Sequence, residues 1–214
     1  MQLCSPMLPV GAYAYSQGLE FAVSSDWIKD ENTTSMWVQG ILVNALANLD
    51  VPVLSRLHKA WSINDNKNVL YWNDYLFASR DSRELQAEEQ QMAQALSRLL
   101  GDLGISEAVE WSKNSRACFL TLFSLGTAHW KIPVNDASWG YLWMWAENQV
   151  LAAIKLVPIG QTSGQKILSS AIEIIPALVS KGLALKDEDI GYTAPGQSIA
   201  SALHETQYTR LFRS

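Results

Sequence analysis

Cysteine, histidine and charge are all in short supply in this chain of 214 residues. Cys4 and Cys118 are too few and too far apart for a disulfide framework or a cysteine-built zinc site. His58, His129 and His204 are scattered, and none has a second histidine or cysteine at ligand spacing. His204 and Glu205 open an H-E-x-x-H, but Tyr208 fills its last place, so the zinc-protease motif is broken. The net charge is -5 and lysines and arginines form no run, which excludes a basic stripe for nucleic acid. The N-terminus lacks the basic, apolar and small-residue order of a secretory signal. No stretch is read as reaching the roughly 18 apolar residues of a membrane span. The expectation is a soluble protein of a reducing compartment, the cytoplasm, with no membrane partner.

Catalytic signatures are missing too. There is no G-x-S-x-G elbow and no cysteine beside an activating base. Glu88, Glu89 and the Asp187–Asp189 run sit among polar neighbours and are read as solvated. A carboxyl acquires a raised pKa only through burial or a like charge, so these are not expected to serve as acids. The stretch KLVPIGQTSGQK, residues 155–166, has the glycines and lysine of a phosphate loop. Its spacing fails: Gly164 comes one residue early, Gln165 stands where lysine is needed, and Ile167 after Lys166 has no hydroxyl for magnesium.

What the chain does have is apolar surface to bury. Hydrophobic residues make up 48% and charged residues 17%, enough for a sizeable core, and nine tryptophans add to it. No run alternates with period 2 long enough for a sheet, whereas the helical period recurs almost everywhere. Val38, Ile41, Leu42, Ala45, Leu46 and Leu49 share one face behind a Thr33 cap. Asp50 and Pro52 open a second helix, and Val69, Trp72, Tyr75 and Leu76 mark a third after the polar break 64–68. Asp81 and Glu84 have capping-box spacing ahead of the stripe Leu85, Met92, Leu96, Leu99 and Leu103. Glu88, Gln91, Gln94 and Arg98 are read as its solvated face.

Residues 109–123 read as one helix, and Asp136 as the cap of a long one that Pro158 and Gly160 stop. Thr162 with Gln165 is read as a box restarting the chain, Pro176 as a kink or end, and Gly182 as a C-terminal cap. These patterns predict an all-α fold, a single-domain bundle of about eight to ten helices over residues 1–194. The remaining 195–214 form a C-terminal tail.

Both ends are unusual. SPMLPVGAYAYSQGLE crowds prolines, glycines and tyrosines together, with Gly18 placed inside a helix, where it costs up to about 1 kcal/mol against alanine. Another backbone, the chain's own or a partner's, would explain a glycine there. The tail has sparse apolar residues and ends with Arg210 and Arg213. It is either a frayed terminus or a segment that orders on a partner, where tyrosine and arginine are favoured.

Four segments carry a family likeness: SPMLPVGAYAYSQGLE at 5–20, SRELQAEEQQMAQAL at 82–96, WAENQVLAAIKLVPIGQTSGQ at 145–165 and HETQYTRLFRS at 204–214. In these the chain resembles the urease accessory protein UreF family. The resemblance implies an all-helical, non-enzymatic protein, homodimeric and without its own cofactor. Such proteins bind UreD (also called UreH) and the GTPase UreG. Nickel and GTP are then handled by partners, and the assembly delivers nickel to the carbamylated lysine of apo-urease. The resemblance also implies partner-binding roles for Tyr13, Tyr15, Glu20, Lys155, Gln161 and Gln165, and for His204, Glu205, Gln207, Tyr208, Arg210 and Arg213 in the tail. Within that set, Lys155 and Glu20 are expected to face UreG, and Arg210 to hold the tail conformation. Family members usually carry a short helical segment ahead of the first motif, and this chain begins almost on it. The competing reading is a direct nickel-binding metallochaperone, which needs clustered ligands. A small-molecule helical bundle would need an apolar pocket with convergent polar groups.

Overall fold

In the computed structural model, which describes residues 2–191 and 194–214, ten α-helices and no strand are found among the described residues. They are α1 (Leu19–Ser24), α2 (Glu31–Ile41), α3 (Asp50–Ser62), α4 (Asn66–Ala78) and α5 (Arg83–Asp102). The chain continues through α6 (Ser106–Trp111), α7 (Phe119–His129), α8 (Val134–Leu156), α9 (Gln161–Ala184) and α10 (Pro195–His204). The all-α expectation holds.

The long helices α8 and α9, joined by a four-residue corner, pack against each other at the centre of the bundle. Helix α3 lies against α4, α7, α8 and α9, and α5 supports α6 and α7. The main core runs through all of them, with Leu42, Leu54, Leu57, Leu76, Leu96, Leu120 and Leu142 wholly buried. A second, smaller apolar cluster joins Leu19, Ala22, Ala153, Val157, Ala200 and Phe212. It welds α1, the end of α8, α10 and the last residues of the chain.

Several predicted boundaries move, each for a local reason. The first long helix is capped by Asp30, whose carboxylate accepts from the Thr33 N–H, while Thr33 Oγ1 accepts from the Asp30 N–H; Thr33 is the N3 partner, not the cap. A π-helical turn, Leu42–Leu46, then carries the same apolar face to α3. Helix α5 is capped by Ser82 through the Leu85 N–H, not by Asp81. The predicted 109–123 helix is two helices, because the Ser112–Cys118 stretch turns the chain. There the N–H groups of Cys118 and Phe119 are taken by Asn73 Oδ1 and Glu89 Oε2, partners a continuous helix could not supply. Pro133, not Asp136, is the residue ahead of α8. Gly160 precedes α9 with no side-chain cap, so the Thr162–Gln165 box does not form.

Helix α9 also runs straight through Pro176 and Gly182. Pro176 lies on the exposed face, where the carbonyl it leaves unpaired can meet water. Gly182 is not a cap but a crossing point: a Cβ there would stand 2.7 Å from the Ala47 carbonyl oxygen and 2.7 Å from Val51. Gly182→Ala is therefore expected to destabilise the fold by about 1–3 kcal/mol despite alanine's better helix propensity, as a urea midpoint would show. By length and apolar composition α9 could cross a membrane, which the sequence reading did not register. Here it packs against α2, α3 and α8.

Candidate functional site

Gly18 shows where the two ends of the chain meet. It does not sit inside a helix; it precedes α1 with φ 86°, a left-handed conformation suited to glycine. A Cβ would stand 2.8 Å from the Ser201 backbone N. The close backbone is thus the chain's own α10, which packs along α1 and α5. Ser201 and Ser82 hydroxyls meet at 2.7 Å beneath this contact.

From there the tail folds back over the N-terminal motif. Glu20, buried on α1, accepts the backbone N–H groups of Leu211 and Phe212 at 2.6 and 2.8 Å. Its Oε2 also stands 3.2 Å from His204 Nε2. On the other side of the fully buried imidazole, His204 Nδ1 lies 2.6 Å from Glu84 Oε2. Glu84 in turn accepts from Arg210 at 2.5 Å. A neutral imidazole donates from one nitrogen, and only the imidazolium donates from both. Since the two carboxylates address opposite ring nitrogens, they do not converge on a common metal position.

The last residues continue the seam. The Ser214 carbonyl oxygen accepts from the Ser16 N–H, the Gln17 N–H and the Ser16 hydroxyl at 2.7, 3.1 and 2.5 Å. Ser214 Oγ donates to Glu88 at 2.9 Å, and Gln17 donates to the same carboxylate at 2.7 Å. Arg213 and Tyr15 both donate to Gln91 Oε1, and the Arg213 N–H donates to the Ala14 carbonyl. Phe212 is buried in the small apolar cluster, with Lys155 Nζ 5.6 Å from the centre of its ring. An extended segment has orphan backbone groups, and here Glu20 on α1, the Ala14 carbonyl and the Ser16 and Gln17 N–H groups satisfy them, while α5 accepts from side chains of the tail.

The UreF family model matches residues 28–172. The urease accessory protein UreF of Alkalilimnicola ehrlichii is 50% identical over 213 residues, covering 100% of this chain and 93% of the relative. Those of Hahella chejuensis and Teredinibacter turnerae are 42% and 44% identical, each covering 100% of this chain and 96% of the relative. The chain belongs to the UreF family. As a UreF-family protein it is related to accessory proteins of urease.

In this UreF chain the residues singled out from the sequence divide into two groups. Tyr15, Glu20, His204, Glu205, Arg210 and Arg213 are brought together at the seam, Glu205 by accepting the Arg83 N–H at 2.7 Å. Lys155 joins them through Phe212. Gln207 hydrogen-bonds within the tail to the Thr209 carbonyl. Tyr13 and Tyr208 are exposed, and Gln161 and Gln165 lie on the exposed first turn of α9 with no side-chain bond to the tail. Glu20, expected to face UreG, has its carboxylate turned inward and occupied by the chain's own tail.

The reading of α5 is corrected as well. Glu88 and Glu89 are buried, not solvated. Glu84, Glu88 and Gln91, spaced i, i+4, i+7, form the acceptor rail on which the tail lies; of the four residues read as a solvated face, Gln91, Gln94 and Arg98 are exposed and Glu88 is buried. The signal available in the sequence was the pair Arg210 and Arg213 in the tail, which acceptors at helical spacing can match. Glu89 and Asp50 together hold Arg80, at 2.6 and 2.7 Å, and Tyr141 donates to Asp50 at 2.8 Å. Burial alone would lower the Arg80 pKa, but these carboxylates more than offset it and hold it well above its ordinary value. This network borders a cavity of about 80 Å³ that Gln149, with its Oε1 unpartnered, also lines.

Glu88 lines the same cavity, and burial raises its pKa from 4.5 to about 7, against the opposing hydrogen bonds from Gln17 and Ser214. The folded state therefore holds this proton more tightly than the unfolded chain. The contribution to stability is full below pH 4.5 and is lost as pH rises through about 7. Relative to wild type, Glu88→Gln is expected to gain on the order of 2–3 kcal/mol between pH 5 and pH 8. Urea denaturation of both proteins at the two pH values measures this directly.

Proposed function

We propose that this UreF-family protein serves urease maturation as a non-catalytic adaptor, binding UreD/UreH through its C-terminal segment and regulating the GTPase UreG. The observation that carries this reading is the two-sidedness of residues 195–214. The inner side is fixed by Glu20, Glu84, Glu88 and Gln91, while Ile199, Leu203, Tyr208 and Leu211 stand exposed on the outer side. Exposed apolar and aromatic side chains on a pre-ordered backbone cost little further entropy when a partner covers them. Lys155, exposed beside Phe212, places a charge at the margin of the same region and is the residue proposed to face UreG.

In this reading the protein acts as a homodimer in the cytoplasm, and nickel and GTP are carried by its partners to apo-urease. Among the described residues, no group of three His, Cys, Asp or Glu is arranged to hold a metal ion. Tight stoichiometric nickel binding by the isolated protein would favour the direct-carrier reading instead. The adaptor reading is tested by co-expression with UreD and UreG. Tyr208→Ser with Leu211→Ser, both at exposed positions, should reduce recovered UreD at least tenfold while leaving the helical circular dichroism unchanged. Recovery of UreD at full strength would contradict it.

A further inference from the structure

On the side of the molecule formed by α3, α4 and α6, a cleft of about 270 Å³ opens between Trp61, Leu70 and Trp111. The two indoles meet edge to face, with ring centroids 5.8 Å apart. Trp61 is fixed by donating its Nε1–H to the Thr121 carbonyl at 3.1 Å, so its orientation is set from within the core. Leu70 is half exposed and extends the apolar floor. Glu107 and Glu110 of α6 line the same cleft, together with Asn66 and Asn114.

The charge of this cleft is one-sided. No lysine, arginine or histidine lines it, and neither glutamate takes part in an ion pair among the described residues. The Glu107 carboxyl is held below its ordinary range by its own backbone N–H and then by the Ser106 hydroxyl, 3.0 Å away. Residues three apart on a helix are neighbours, so the two carboxylates form a paired acceptor edge. Aromatic rings that share a cleft with two carboxylates outside any ion pair select one side chain in particular. A guanidinium stacks on an indole and forks its N–H groups to carboxylate oxygens, whereas an ammonium offers only a point charge.

We propose that this cleft is a docking site for an arginine-bearing segment of a partner protein. The aliphatic stem of the arginine lies on Leu70 and the indoles, and its guanidinium meets Glu107 and Glu110. The site lies on helices distinct from the α1–α10 seam and does not depend on the adaptor reading.

The test is calorimetric titration of the full chain with the peptide acetyl-Leu-Arg-Leu-Arg-amide. Saturable binding is expected, weakened at least tenfold by Glu107→Gln with Glu110→Gln. The control Glu188→Gln with Asp189→Asn removes the same two charges elsewhere and should weaken it less than twofold. The peptide with glutamate in place of arginine should not bind. Absence of saturable heat at millimolar peptide, or equal weakening by both double variants, would overturn the proposal. So would self-association of the free chain that Glu107→Gln with Glu110→Gln abolishes, since the occupant would then be a second copy.

Discussion

Glu20→Ala is expected to lower stability by about 3 kcal/mol and to release the last ten residues from the body of the protein. The carboxylate satisfies two backbone N–H groups, of Leu211 and Phe212, and faces a buried His204 ring nitrogen. Removing it takes the acceptor from both backbone N–H groups, of which that of Phe212 is buried, and leaves the buried His204 ring without this neighbour; hydrogen bonds to a charged group are worth about 1.5–3 kcal/mol each. Glu20→Gln keeps an acceptor oxygen and should lose roughly half as much. Limited trypsin digestion reports the local effect: cleavage after Arg210 should be slow in the wild type and fast in Glu20→Ala. Equal cleavage rates would show that the seam is held elsewhere.

Arg80→Ala is expected to cost about 3–5 kcal/mol, because it leaves Asp50 and Glu89 buried without their counter-charge. Asp50 is wholly buried and also accepts from Tyr141, while Glu89 accepts the Phe119 N–H at the start of α7. The network therefore ties α3, α4's end, α5, α7 and α8 together at one point. Adding Asp50→Asn and Glu89→Gln to Arg80→Ala should restore part of the loss, since neutral amides no longer require a cation. If the triple variant were no more stable than Arg80→Ala by urea denaturation, unpaired charge would not be the cause of the loss.

The all-helical architecture was legible because apolar spacing is local information. The stripe of α5 and the long run of α8 needed no partner to be recognised. Helix boundaries were less legible where a distant side chain decides them. The break before α7 depends on Asn73 and Glu89, which lie far away in sequence. Gly182 looked like a cap because glycine usually ends helices, yet its role is the approach to Ala47 and Val51. Glu88 was misread for a related reason: polar neighbours in sequence suggest water, but the space over this glutamate is filled by Ser214 and Gln17. Gly18 was the most informative single residue. It implied a close backbone, and the structure identifies that backbone as Ser201.

The central claim is that the C-terminal segment is already ordered on the N-terminal motif before any partner arrives. Residue-resolved hydrogen exchange of the isolated protein tests it most directly at the Leu211 and Phe212 amides, whose acceptor is Glu20. Protection of at least a hundredfold over unfolded-chain rates, lost in Glu20→Ala, is the predicted result. Exchange of both amides at unfolded-chain rates in the wild type would contradict it.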